Sequence, residues 1–172
     1  MGIRLQNPEQ TVKRTVLKPI YVTGISSTSS YIAGRVSMIR IELDKAQSVS
    51  AINVHNYTTI AGNVTVGIYA EGATNTPVGG TVLVQSASIA HAGANTLQSF
   101  PITATFLPAG AYYVALEVSD ATATIGTITA TNFSVGQSFY YDRGGGYGAL
   151  TDPCPASTAT STNMPSMVLI SP

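Results

Sequence analysis

The chain has 172 residues and a mass of 17.8 kDa, with 9% charged residues, no net formal charge and a single cysteine, Cys154. That length supports one domain with a real core; one cysteine excludes an intrachain disulfide, and no run approaches the ~18 consecutive apolar residues of a membrane-spanning helix. Charge is far below the ~25% usual in soluble domains, so the surface suits packing against copies of itself or a large assembly rather than steered capture of a charged ligand.

The charge is unevenly placed. Residues 1–20 carry Arg4, Lys13, Arg14 and Lys18 against Glu9 alone, a net of +3, and the remainder nets −3. A basic arm therefore precedes a mildly acidic body. A nucleic-acid-binding domain would carry a basic stripe on its folded face, which this body lacks. The N-terminus has no apolar run of the kind a secretion signal needs, which points to synthesis in a cytoplasm.

Residues 1–18 lack periodicity and are bracketed by Pro8 and Pro19. They predict an extended arm ordered by docking, with a simple edge strand at 10–17 as the alternative. A short strand is expected at 20–24 and a Ser/Thr loop at 25–30. Residues 35–43 alternate, with Ile39, Ile41 and Leu43 inward and Arg40 and Glu42 outward. A turn at 44–47 leads to a strand at 49–57, with Ile52 and Val54 inside. After a turn at 58–63, Val64, Val66 and Ile68 share one face of a strand at 64–70, with Thr65, Gly67 and Tyr69 on the other. The Gly, Asn and Pro residues of 71–80 predict an exposed loop.

A strand at 81–85 and a turn at 91–95 follow. Pro101 interrupts the strand at 96–105, which places it at a sheet edge or marks a bulge. Leu107, Pro108, Ala109 and Gly110 read as a turn. The strand after it puts Tyr112, Val114, Leu116 and Val118 on one face and Tyr113, Ala115 and Glu117 on the other. This strand and the one at 64–70 are expected at the centre of the structure. A turn at 119–122, strands at 125–131 and 133–141, a long Gly/Ser/Thr/Pro segment at 142–165 and a closing strand at 167–170 complete the chain. The expectation is an all-β, antiparallel, jelly-roll-like β-sandwich over 20–172, preceded by the arm 1–19.

The pair Val64-Thr65-Val66-Gly67-Ile68-Tyr69 and Leu107-Pro108-Ala109-Gly110-Ala111-Tyr112-Tyr113, with the small-residue and proline run Thr74–Gly80 between them and the closing Met164-Pro165-Ser166-Met167, resembles β-sandwich domains of bacteriophage virion proteins. Tail fibres, head fibres and capsid-surface proteins carry such domains, and related ones occur among carbohydrate-binding modules. The resemblance spans about residues 35–172 and leaves out the arm. It implies a non-enzymatic structural protein of the virion surface, a capsid decoration (cement) or head-fibre type. Its partners would be the major capsid protein or a tail component and further copies of itself, a trimer on capsid threefold sites being one arrangement. The alternative it implies is a tail or fibre module that recognises host surface glycans. It brings no catalytic residue and no cofactor.

The residues offer little chemistry of their own. His55 and His91 have no HExxH-type spacing and no placed carboxylate, so ordinary imidazoles are expected rather than a metal site or an acid–base pair. Asp120, Asp142 and Asp152 lack the close spacing of a calcium loop. Cys154 lies between Pro153 and Pro155 with no base in view, which predicts a packed thiol rather than a nucleophile. Gly144-Gly145-Gly146-Tyr147-Gly148 has no Lys-Ser/Thr after it and is not a phosphate loop. With Tyr140, Tyr141, Asp142, Arg143 and Tyr147, it predicts a tyrosine-rich patch that packs against a neighbouring subunit or stacks a sugar. The arm's cations, Arg4, Lys13, Arg14 and Lys18, are expected to dock on a partner protein rather than on nucleic acid.

Overall fold

Apolar side chains at every second position fix the strands, and the computed structural model realises them. It describes residues 27–30, 33–72, 76–129, 138–143, 146–156, 159–161 and 163–170. The arm with Arg4, Lys13, Arg14 and Lys18, the expected strand at 20–24 and residues 133–137 lie outside the described residues. Among those described, the structure is all β: β1 (Ser27–Ser30), β2 (Arg35–Leu43), β3 (Gln47–His55), β4 (Asn63–Ala70), β5 (Val82–Gln85), β6 (Ile89–Ala90), β7 (Leu97–Leu107), β8 (Gly110–Val118), β9 (Thr124–Thr129), β10 (Ser138–Asp142), β11 (Ala159–Ser161), β12 (Asn163–Pro165) and β13 (Met167–Ile170).

One layer is an antiparallel sheet in the order β11-β10-β2-β8-β4-β5, with β6 also paired to β4. The expected central pair is central: β4 and β8 run side by side from Val64 opposite Val118 to Ala70 opposite Tyr112. The second layer consists of β13-β3-β7 and β1-β9-β12. These two parts are joined where the chain passes from β12 to β13. The Ser166 N–H donates to the Gly126 carbonyl and the His55 N–H to the Ser166 carbonyl, while Asn56 bridges Ile125. The stretch 163–170 thus pairs with β9 by its first half and with β3 by its second. The nested pairings β2 with β8 and β3 with β7 wrap a long hairpin so that β2, β4 and β8 fall in one layer and β3 and β7 in the other. That is the jelly-roll arrangement.

The core between the layers takes Val64, Val66 and Ile68 from β4 and Tyr112, Val114, Leu116 and Val118 from β8. Ile52, Val54, Phe100, Ile102, Ile125 and Leu169 come from the second layer. The Tyr112 hydroxyl reaches back to the Pro108 carbonyl at 2.9 Å, closing the turn that the Pro-Ala-Gly sequence begins. Both expectations for Pro101 hold. β7 pairs only with β3 among the described strands, and the register slips so that Val49 meets Thr105 but Ala51 meets Pro101. A residue without an N–H interrupts the ladder, and a bulge absorbs the interruption.

Three segments differ from expectation. Residues 27–30 lie within the expected Ser/Thr loop, yet form β1 against β9; ladder pairing needs only backbone groups, so the absence of alternating apolar side chains does not forbid an edge strand. Ile89–Ala90 makes a two-residue strand on β4 that is too short to show a period. The segment 142–165 contains β11 and β12 and, between them and β10, a stretch folded onto the sheet. Leu116 is fully buried at the middle of β8. Leu116→Ala is expected to cost about 2–5 kcal/mol through lost burial and a residual cavity, measured as a lower urea midpoint at unchanged m-value.

Candidate functional site

A strand in a two-layer sandwich ordinarily buries one face and wets the other. β4 and β8 bury both. The outward row Val36 and Met38 of β2, Tyr69 of β4, Tyr113 and Ala115 of β8 and Tyr141 of β10 packs with Leu150 and Cys154 into a second apolar cluster. Its cover is the chain between Gly146 and Ala156, which crosses the outer face of the sheet as a strap.

The strap's polar groups are tied down one by one. The Tyr147 hydroxyl bonds Thr65 Oγ1 at 2.8 Å and Ser88 Oγ at 2.9 Å. The Leu150 N–H donates to Gln85 Oε1 at 2.8 Å. The N–H of Cys154 donates to the Gly80 carbonyl, and the N–H of Gly79 to the Cys154 carbonyl. Three further bonds close a ring: the Thr151 N–H donates to the Tyr141 hydroxyl at 3.3 Å, that hydroxyl to the Tyr69 oxygen at 2.9 Å, and the Tyr69 hydroxyl to the Thr151 carbonyl at 2.8 Å. Burial raises the Tyr69 phenol well above its usual range, so it stays a donor. The strap approaches so closely over Gly67 that a Cβ there would lie 2.5 Å from Leu150 Cδ1 and 2.8 Å from the Val84 carbonyl oxygen.

Glu117 lies beneath the same strap with its side chain fully buried. Arg143 Nη1 donates to both carboxylate oxygens, at 3.1 and 3.3 Å, and the Gly148 N–H reaches one of them at 3.5 Å. Desolvation raises the Glu117 carboxyl above the ordinary carboxylate range, and Arg143 offsets part of that rise. A second charged group sits at the β2–β10 rim, on the face of β2 that carries Ile39 and Ile41. Arg35 grips Asp142 with two nitrogens, at 2.7 and 3.1 Å, and its guanidinium lies 4.1 Å from the centroid of the Tyr140 ring. Arg35 holds the Asp142 carboxyl below its usual value.

The structure therefore divides the predicted tyrosine patch in two. Tyr140 and Asp142 lie on one face of β10 with Arg35. Tyr141, Arg143 and Tyr147 turn to the opposite face and hold the strap, Tyr141 being buried. Strand alternation accounts for the split. Gly144 and Gly145 lie outside the described residues. Sequence reasoning missed Arg35, Tyr69 and Glu117 as members. For Glu117 a signal existed, a lone carboxylate between Leu116 and Val118; for Arg35, only the β2–β10 register reveals its place.

The remaining candidates stand apart from this arrangement. His91 is buried, its Nδ1 accepting the Ala61 N–H at 3.3 Å, and burial lowers its pKa. His55 lies against Gly126. Asp120 accepts from the N–H and hydroxyl of Thr122, and Asp152 from the Val82 N–H. Among the described residues no three His, Cys, Asp or Glu side chains are grouped to hold a metal ion. Cys154 is buried beside Met38, its thiol pushed up to about 12 by burial. Comparison with protein-family models, with curated proteins and with solved structures found no match.

Two outcomes follow from this geometry. In Arg143→Met the buried carboxylate loses its cation, which should cost about 3 kcal/mol at neutral pH. The folded-state pKa of Glu117 then rises further above its unfolded value. A group raised in this way contributes stability at low pH that is lost as pH rises through its folded value, so the deficit should shrink in mild acid; denaturation at a series of pH values reads it. The Cys154 thiol should resist a disulfide reagent at about pH 8 in the native protein and react once denaturant opens the strap.

Proposed function

We propose that this chain is a non-enzymatic structural protein of a bacteriophage virion, of the capsid decoration or head-fibre type. The sandwich would be displayed on the surface, and the basic arm 1–19 would dock on the major capsid protein or a neighbouring component. The observation that carries the arm's role is that the body's arginines are already committed within it. Arg35 pairs with Asp142, Arg40 with Glu42 and Glu71, and Arg143 with Glu117. The body's arginines therefore offer a partner little free positive charge, whereas the arm carries an excess of +3 in its sequence, for which an acidic groove on a partner protein is the natural complement. Further support comes from the sandwich itself and from its likeness in strand motifs to virion domains. Cement action is then linkage: a protein that binds only the assembled shell stabilises it by mass action.

Glycan recognition by the tyrosine patch has less support. Tyr141 is buried, both polar contacts of the Tyr147 hydroxyl are made within the fold, and a guanidinium already lies on the ring of Tyr140. These tyrosines act in packing, and self-association of the sparsely charged body belongs to the same reading.

Deleting residues 1–18 tests the docking role. The shortened chain should keep its circular-dichroism spectrum and Tm but no longer sediment with assembled shells. Unchanged affinity for shells would show that the arm does not dock.

A further inference from the structure

One long stretch of this chain carries no charge. From Gly72 through Leu116 the chain runs 45 residues without an Asp, Glu, Lys or Arg. That run supplies β5, β6 and β7. Among the described strands β5 is the last of one layer and β7 the last of the other, and Gln98 of β7 donates to the Ala90 carbonyl of β6 at 2.7 Å. The two layer edges therefore form one rim of the sandwich. Asp152, bonded to the Val82 N–H, and Asp120, beside Gly62, border it.

All three exposed large hydrophobic side chains among the described residues lie on this rim: Leu83 at 40% exposure, Leu97 at 59% and Phe106 at 66%. Exposed edge strands are ordinarily guarded by charged side chains. β7, with eleven residues, has none. Among the described residues its regularity is broken by Pro101 and the bulge, which split its ladder with β3 into Leu97–Pro101 and Thr105–Leu107.

We infer that the β5–β7 rim is the surface on which a second copy of this chain packs. The inference rests on the self-associating part of the proposed function and names the surface that serves it. A charge-free rim has nothing to offer a charged partner, whose ions it would desolvate without compensation. Another copy brings an equally charge-free rim, and interface cores are depleted of charge in the same way. Two antiparallel edges related by a twofold axis are self-complementary, which closes the assembly as an isologous contact. Pro101 and the bulge make β7 an irregular template for continuous sheet extension, so the contact is made through the side chains of Leu83, Leu97 and Phe106. An eleven-residue strand spans about 37 Å and the layers stand about 10 Å apart; with side chains about 20 Å wide, the rim offers on the order of 700 Å², close to the ~800 Å² per partner of a standard interface.

Sedimentation velocity of the full chain over a dilution series tests this, with Leu97→Arg, Phe106→Arg and, at the far β2–β10 side of the sheet, Arg35→Gln. The wild type should dissociate reversibly on dilution. Each rim variant should weaken association about tenfold or more, and Arg35→Gln should leave it unchanged. Both rim side chains are more than half exposed, so an unchanged Tm is expected; Phe106→Ser repeats the test without a new charge should the arginine variant unfold. A wild type that is monomeric throughout would overturn the inference together with self-association. An oligomer indifferent to the rim variants would overturn the choice of surface and leave self-association standing.

Discussion

The central pair β4–β8 must be covered twice. Facing residues Val66 and Leu116, Ile68 and Val114 point into the core between the layers. The alternate positions of the same pair, Tyr69 and Tyr113 above all, are apolar enough to demand a cover of their own. Another sheet would be the usual second cover, and the chain uses an irregular strap instead. A strap carries unpaired backbone groups into a dry place, each costing about 1–3 kcal/mol if left without a partner. This explains the density of hydroxyls and amides beneath it: Thr65, Ser88, Gln85, Tyr69 and Tyr141 each meet a strap group.

Glu117 belongs to that same requirement. A carboxylate in the middle of an apolar face is a poor stabiliser, because the cost of drying it rivals the gain from its partner. What it does provide is an address. Arg143 and the Gly148 N–H, on either side of a glycine-rich stretch of sequence, converge on it, so the strap has one register in which no charge is stranded. The hydroxyl ring of Tyr69, Tyr141 and Thr151 fixes the same register further along. Gly67 fixes its height, since a Cβ there would push against Leu150 and the Val84 carbonyl. Three unrelated constraints agree on one placement, which is what a segment with little apolar periodicity needs in order to be specific.

Alternation made much of this fold legible. The faces of β2, β4 and β8 follow from every second residue, and Pro101 forecast both the edge position and the bulge of β7. Alternation assigns residues to a face; it does not say whether the face is wet. Tyr113, Ala115 and Glu117 were separable from their neighbours by period, but their burial depends on a strap some thirty residues downstream whose Gly, Ser, Thr and Pro content reads as exposed loop. The tyrosine patch is divided for a related reason. Four of its five residues are adjacent in sequence, and a strand sends adjacent residues to opposite sides. β1 and β6 escaped notice because backbone pairing at an edge asks nothing of the side chains.

The same requirements bear on how the molecule meets others. Burying Glu117 and gripping Asp142, Glu42 and Glu71 commits the arginines of the body to partners inside the fold. Paired charges of this kind do little to steer an encounter, because a partner meets a dipole rather than a monopole and the field decays within a Debye length. On the proposed reading, long-range attraction falls to the arm and short-range packing to surfaces without charge. An uncharged rim gains nothing from steering but also suffers no electrostatic penalty when copies crowd together, as they do on any large regular assembly. On the proposed reading, a basic arm and a mildly acidic body divide two tasks, capture and lateral packing, between parts of the chain that can be altered independently.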